Sequence, residues 1–242
     1  MSQNIFVKPR LSQPEPVFPL SIRGVKEVFP GFALGDFAVL QGSSVLSLAS
    51  LLCVKAQLPM QLGGLQSNVI FIDGGNTFRL YQIAQLAQIH HLDPKKVLDN
   101  IYISRAFTAY QTAALIKDQL KETIQKYNAK LVIISDIAGF FLDKDVAEEE
   151  AQRIFSQVTT HLSNFAQESQ TIVLAIYPQH LDTERNSILH TQTCSKANVV
   201  LSIKRTSHSR QFILEKHPYF SSGTAEVQSE DLTLLDFAEA NV

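Results

Sequence analysis

The run Asn68-Val69-Ile70-Phe71-Ile72 closes on Asp73 and is followed by Gly74-Gly75-Asn76-Thr77. Its apolar, β-branched and aromatic residues read as a buried parallel strand. A carboxylate ending such a strand, a glycine pair that releases the backbone and then a helix start is how α/β folds bring ligand groups to the carboxyl edge of a sheet. Asn76 and Thr77 can cap that helix, which the pattern starts near Phe78. The plainer reading has Asp73 capping the turn at 74–77 rather than holding magnesium. Other reactive side chains offer less. His90 and His91 close a helix, where imidazole suits the dipole, and they lack the Cys or carboxylate partners of a metal site. Cys53 and Cys194 lie far apart without metal-ligand neighbours, which suits a reducing compartment. No metal site is expected.

The elements that must position these groups fit one large α/β domain, since 242 residues with 45% hydrophobic content can bury a sizeable core. Lys+Arg 21 against Asp+Glu 23 gives a net charge of −2, which excludes a global basic field for nucleic acid and leaves only local patches. The most apolar run, 45–56, is broken by serines and Lys55 and is too short to span a bilayer, so a soluble, cytoplasmic protein is expected. Residues 1–20 read as a Pro-rich arm, extended or laid across a neighbour, 21–230 as the folded core and 231–242 as a tail.

Within the core, strands are expected at 37–40, 68–72, 101–104, 130–136 and 171–177. Helices are expected at 25–29, 45–57, 81–91, 108–127 and 145–167, with Asp93 at an N-cap and Pro94 at N1 of another. The long helix at 108–127 should turn Ala114, Leu115, Leu120 and Ile124 toward the sheet, and 178–193 reads mostly as loop. Segments 197–204, 211–216 and 224–228 look like antiparallel strands, so the class is α/β with a mainly parallel sheet finished by antiparallel edge strands. The acidic run at 142–150 reads as a helix N-terminus. The basic run from Lys204 to Arg210 reads as a hairpin turn with solvated charges.

Leu58-Pro59, Gly63-Gly64-Leu65, Val69-Ile70-Phe71-Ile72-Asp73, Asn76-Thr77-Phe78-Arg79, Leu92-Asp93-Pro94 and Asn100-Ile101-Tyr102-Ile103-Ser104-Arg105-Ala106 follow one another in this order. Together they resemble the ATPase core of the RecA/RadA-type recombinases, in particular the archaeal RadA branch and its paralogues. The match is dense over 57–107 and looser from 21 to 230. The resemblance implies a RecA-like core: a central, mostly parallel sheet flanked by helices, with a small antiparallel C-terminal extension. For the family it implies ATP hydrolysis between protomers of a filament on DNA.

The nucleotide site that the resemblance implies is degenerate in these residues. Gln41-Gly42-Ser43-Ser44-Val45 stands at the phosphate loop, with one glycine and no lysine before Lys55, and is about three residues short of the family pattern. Gly75 stands where the family has its water-orienting glutamate. Ser135 falls at the magnesium-side aspartate and Asp136 one residue late, a slip that would send its side chain to the opposite face. Gln179 lies near the family's sensing Asn-Gln pair, and Lys216-His217-Pro218 matches its nucleotide-covering segment. Phosphoryl transfer is mostly positioning plus charge stabilisation, so the expectation is a pseudo-ATPase with no catalytic residues and neither ATP nor magnesium as cofactor.

The partners implied are a RadA-type recombinase or further copies of this chain, in recombination and repair at the nucleoid. Phe237 and Ala240 fit the Phe-x-x-Ala motif through which recombinases are joined. One alternative is an ATP-independent accessory protein binding single-stranded DNA, with Arg185, Arg205 and Arg210 as candidate contacts. Another is a weak ATPase completed in trans by a recombinase partner, with Asp136 as its ligand.

Overall fold

Apolar runs of strand length, separated by amphipathic stretches, assemble into one sheet in the computed structural model, which describes residues 18–228. Its strands are β1 (Phe37–Gly42), β2 (Asn68–Asp73), β3 (Ile101–Arg105), β4 (Ala129–Ser135), β5 (Ile172–Pro178), β6 (Val199–Arg205), β7 (Ser209–Lys216) and β8 (Gly223–Gln228). Their order is β3-β2-β4-β5-β1-β6-β7-β8. β1 to β6 are parallel, so the carboxyl ends of β1, β2, β4 and β5 share one edge. β6 was expected to be antiparallel; it pairs in parallel with β1, and antiparallel pairing begins only at β7. The fold is the mainly parallel α/β sheet with an antiparallel C-terminal extension that the sequence implies.

Both faces of the sheet are covered, which is why its central strands carry continuous apolar runs rather than alternation. Helices α1 (Val45–Lys55), α2 (Leu80–Ile89) and α3 (Pro94–Asp99) pack on a face whose core includes Leu48, Leu52, Phe71, Leu174 and Phe212. Helices α4 (Ala109–Ala114), α5 (Leu120–Tyr127), α6 (Glu148–Ser169) and α7 (Glu184–Lys196) cover the other, around Val39, Ile134, Phe155 and Leu189. Asp93 caps α3 by accepting the Lys95 N–H, with Pro94 at the first position. Glu148, Glu149 and Glu150 form the first turn of α6, where carboxylates suit the dipole.

Three helical expectations change. Residues 25–29 form turns with a single i−4 bond, Phe29 N–H to the Val25 carbonyl at 2.8 Å, hemmed in by Gly24 and Pro30. A π turn at Leu115–Gln119 separates α4 from α5 and adds a residue to one turn. Its rotation buries Ala113, Ile116, Leu120 and Ile124, and leaves Ala114 and Leu115 only half-buried. The third change is α7, which occupies most of the segment read as loop.

The described end of the arm packs on this chain's own core. Phe18 and Phe32 exchange backbone hydrogen bonds of 3.1 and 2.9 Å, and both rings are fully buried. Buried Lys55 on α1 donates from Nζ to the Pro19 carbonyl and to Ser21 Oγ, each at 2.7 Å. Its environment lowers the ammonium pKa from 10.5 to about 8, through desolvation. Among the described residues no helix is long and apolar enough to cross a membrane.

Candidate functional site at the carboxyl edge

The connection from β1 to α1 consists of Ser43 and Ser44 alone. Gly42 takes φ 99°, and a Cβ there would collide with the Ile203 carbonyl oxygen, so only glycine fits against β6. Ser43 spends both donors on that same carbonyl, N–H at 2.9 Å and Oγ at 3.1 Å. Ser44 is left-handed at φ 61° and its side chain caps nothing. Val45 then opens the helix and is buried. A connection this short turns its first N–H toward the neighbouring strand and has no loop to wrap around an anion.

At the end of β2, Asp73 is buried and its oxygens are taken up by protein groups. Oδ1 accepts from the Thr77 N–H at 2.8 Å and from Ser135 Oγ at 3.0 Å, and Oδ2 accepts from the Phe78 N–H at 3.4 Å. Arg105 Nε lies 3.6 Å from Oδ2. Ser135 and Asp73 therefore meet, as their paired register on β4 and β2 requires. The turn is capped by Asp73, not by Asn76 or Thr77; α2 begins at Leu80, and its N-cap residue Arg79 makes no side-chain cap bond.

Asp136 follows β4 in a left-handed conformation, φ 48°. The one-residue slip along the strand does not carry its side chain to the far face, because the strand has already ended. Its carboxylate instead turns over the glycines: a Cβ at Gly75 would lie 3.0 Å from Asp136 Oδ2, and one at Gly139 would lie 2.6 Å from it. Asp136 Oδ1 and His180 Nε2 are 2.8 Å apart, tying the β4 loop to the β5 loop. His180 and His190 both meet the Tyr177 ring edge-on, at centroid distances of 5.7 and 5.1 Å. Burial pushes the Tyr177 hydroxyl pKa up, and the Asp136 and Cys194 charges push it the same way. That hydroxyl donates to Asn186 Oδ1 at 2.7 Å.

Helix α7 was missed in the sequence because its inward stripe is polar. Thr183 caps it by accepting the Asn186 N–H at 3.2 Å, and only Leu189 and Thr193 are buried. Asn186, His190 and Cys194 recur every fourth residue; Asn186 meets Tyr177 on β5, and His190 and Cys194 meet Gln41 on β1. His190 Nε2 lies 2.5 Å and Cys194 Sγ 3.4 Å from Gln41 Oε1. Gln41 Nε2 donates to Ser202 Oγ at 2.7 Å and to Glu215 at 3.1 Å, and Ser202 also donates to Glu215. Burial, and then the Glu215 carboxylate, raise the Cys194 pKa to about 11, so the thiol stays protonated at neutral pH. This network borders a cavity of about 590 Å³ whose lining includes Gly42, Gln179, Lys204 and Arg205. A second cavity of about 300 Å³ lies over the start of α1 and is lined by Ser44, Ser47, Arg79 and Arg205 among others.

Of the three candidate DNA contacts, only Arg205 is exposed. Arg210 is buried on β7, a correction to its reading as a solvated turn residue: the turn proper is 206–208, and Arg210 already pairs with Arg205 and Val227. Arg185 sits in the first turn of α7 and donates to the Val146 carbonyl at 3.1 Å. Lys216 donates to the Cys194 and Ser195 carbonyls at the end of α7, while His217 packs on Phe29 at the opposite edge of the sheet. Phe237 and Ala240 lie outside the described residues. Among those residues no cluster of three or more His, Cys, Asp or Glu is placed to hold a metal ion.

A parallel core of this order, with its reactive strand ends gathered beside a glycine-ended β1, defines the RecA-like class. The sequence model of the Rad51 family matches residues 31–199, and this chain belongs to that family. It is also similar to a protein described as DNA repair and recombination protein RadA from Cenarchaeum symbiosum (strain A), with 33% identity over 122 residues. That alignment covers 50% of this chain and 28% of the relative's length.

Proposed function

We propose that this chain is a non-catalytic paralogue of RadA-type recombinases, acting in homologous recombination and DNA repair through contacts with the recombinase or with its own copies. The observation that carries the reading is that Ser43, Asp73, Ser135 and Asp136 at the degenerate site already hold partners within the chain. Ser43 is spent on β6, Asp73 on its own turn and Ser135, and Asp136 on His180, while Gly75 contributes no carboxylate. A magnesium-triphosphate would have to break these bonds and would find neither a phosphate-loop lysine nor a loop to surround it. On this reading ATP and magnesium are not cofactors, and the RecA-like core serves as a scaffold.

Calorimetric titration of the purified protein with ATP and magnesium, run beside a DNA-stimulated hydrolysis assay, tests the reading. The expected result is no heat and no turnover, together with recombinase capture that weakens on Phe237→Ala. Magnesium-dependent turnover by the pure protein overturns it.

A further inference from the structure

The larger cavity, about 590 Å³, is a cleft whose walls come from the β5–α7 connection, α7, β1, β6 and β7. That volume suits a small organic ligand. Val200 lies in the core beneath α7, so alternation along β6 turns Ser202 and Lys204 to the same face. Gln41 stands beside Ser202, as the β1–β6 register requires.

The hydrogen bonds fix the polarity of this wall. Ser202 Oγ donates to Glu215 and therefore accepts from Gln41, which turns the Gln41 amide nitrogen toward Ser202 and Glu215. Gln41 Oε1 is then an acceptor, and His190 carries a proton on Nε2 to meet it. In the neutral ring that leaves Nδ1 as an acceptor. Tyr177 spends its proton on Asn186 Oδ1, and Asn186 Nδ2 donates to the Leu181 carbonyl. The wall thus uses its donors internally and keeps acceptors for a ligand: the Glu215 carboxylate, His190 Nδ1 and the Tyr177 oxygen.

Lys204 supplies the opposite charge. It stands two residues beyond Ser202, about 7 Å along β6, and is exposed. Among the described residues neither Lys204 nor Glu215 is in an ion pair. Arg205, on the same rim, already interacts within the chain, so Lys204 is the cation to spare. A small anion alone would meet Glu215 here, and a small cation alone would meet Lys204. A ligand that carries both charges a few ångströms apart suits both ends.

We propose that the cleft binds a small zwitterion of the free α-amino acid class, its ammonium held by Glu215 and His190 and its carboxylate by Lys204. The Tyr177 ring, with two imidazoles edge-on to it, gives the ligand side chain an aromatic wall. This goes beyond the recombinase reading and stands without it, since none of these contacts involves a nucleotide or a partner chain.

Saturation-transfer NMR on the full chain, with the standard L-amino acids in mixtures and then singly, tests the proposal. At least one should bind with a Kd below about 10 mM. Its N-acetyl derivative lacks the ammonium and its carboxamide lacks the carboxylate, and each should bind about tenfold more weakly. Glu215→Gln should weaken the free amino acid several-fold. Lys204→Met should do the same while leaving the carboxamide unchanged. No binding up to about 10 mM, equal binding of the N-acetyl derivative, or unchanged affinity in Lys204→Met would each overturn the proposal. Should Glu215→Gln fail to fold, the derivatives on the unaltered protein and Lys204→Met still decide. ATP titrated alone speaks only to the scaffold reading.

Discussion

At Gly75 the missing side chain and the Asp136 carboxylate share one space, and that sharing is measurable. Gly75→Glu puts a Cβ 3.0 Å from Asp136 Oδ2 and a second carboxylate beside the first. The expected cost is about 1–3 kcal/mol in urea unfolding, typical of overpacking. Removing the obstacle in G75E/D136A should cost less than the two single changes summed, by about 0.5–3 kcal/mol of coupling. Additive single and double variants would mean that the two sites do not touch.

Lys55 supplies a pH dependence. Its ammonium loses its proton near pH 8 in the folded protein and at its ordinary 10.5 when unfolded. Across that interval the unfolded chain binds more protons, so stability rises as pH climbs from about 8 toward 10.5. Lys55→Met should flatten this rise in chemical unfolding followed across the same pH range. A rise that persists in the variant would assign the dependence to another group.

Among the elements, α7 decides how the site is built. Its N-cap bond from Thr183 to the Asn186 N–H predicts that Thr183→Ala lowers stability by about 1 kcal/mol, as loss of such a cap does. Exchange should quicken first at the helix start, beside the cleft. The sequence carried this cap, and Asn186, His190 and Cys194 recur at helical spacing, but periodicity arguments look for apolar residues and here the inward stripe is polar. The opposite held at Asp93-Pro94 and at Asp73, where a local side chain and the next few N–H groups specify the geometry by themselves. The Gln41 network was not legible, because its members come from β1, α7, β6 and β7 and meet only once the sheet has formed. Arg210 shows the same limit: nothing in a basic run says which member begins the next buried strand position.

For the whole molecule, a sheet with helices on both faces leaves the carboxyl edge as the place where charge and cavities collect. The net charge of −2 gives no general attraction to nucleic acid, so any affinity for single-stranded DNA has to come from patches such as Lys204 and Arg205. Arg210→Ala should therefore act on the fold, destabilising it by about 2 kcal/mol or more, with DNA retention unchanged once matched for folded protein. Arg205→Ala should instead leave the melting temperature in place. A loss of DNA retention in a fully folded Arg210→Ala protein would contradict this division.

The two-residue link between β1 and α1 also bears on history. A lost side chain can return by one substitution, whereas a lost stretch of backbone cannot. A lysine introduced after Ser44 would restore charge but not the circle of N–H groups around it, and a longer link would gain nothing until Gly75 and Ser135 had changed as well. On the proposed reading, each step taken alone confers no turnover on which selection could act. On the same non-catalytic reading, a lineage with so short a link is held away from nucleotide hydrolysis by a ratchet, and its descendants would diverge as scaffolds.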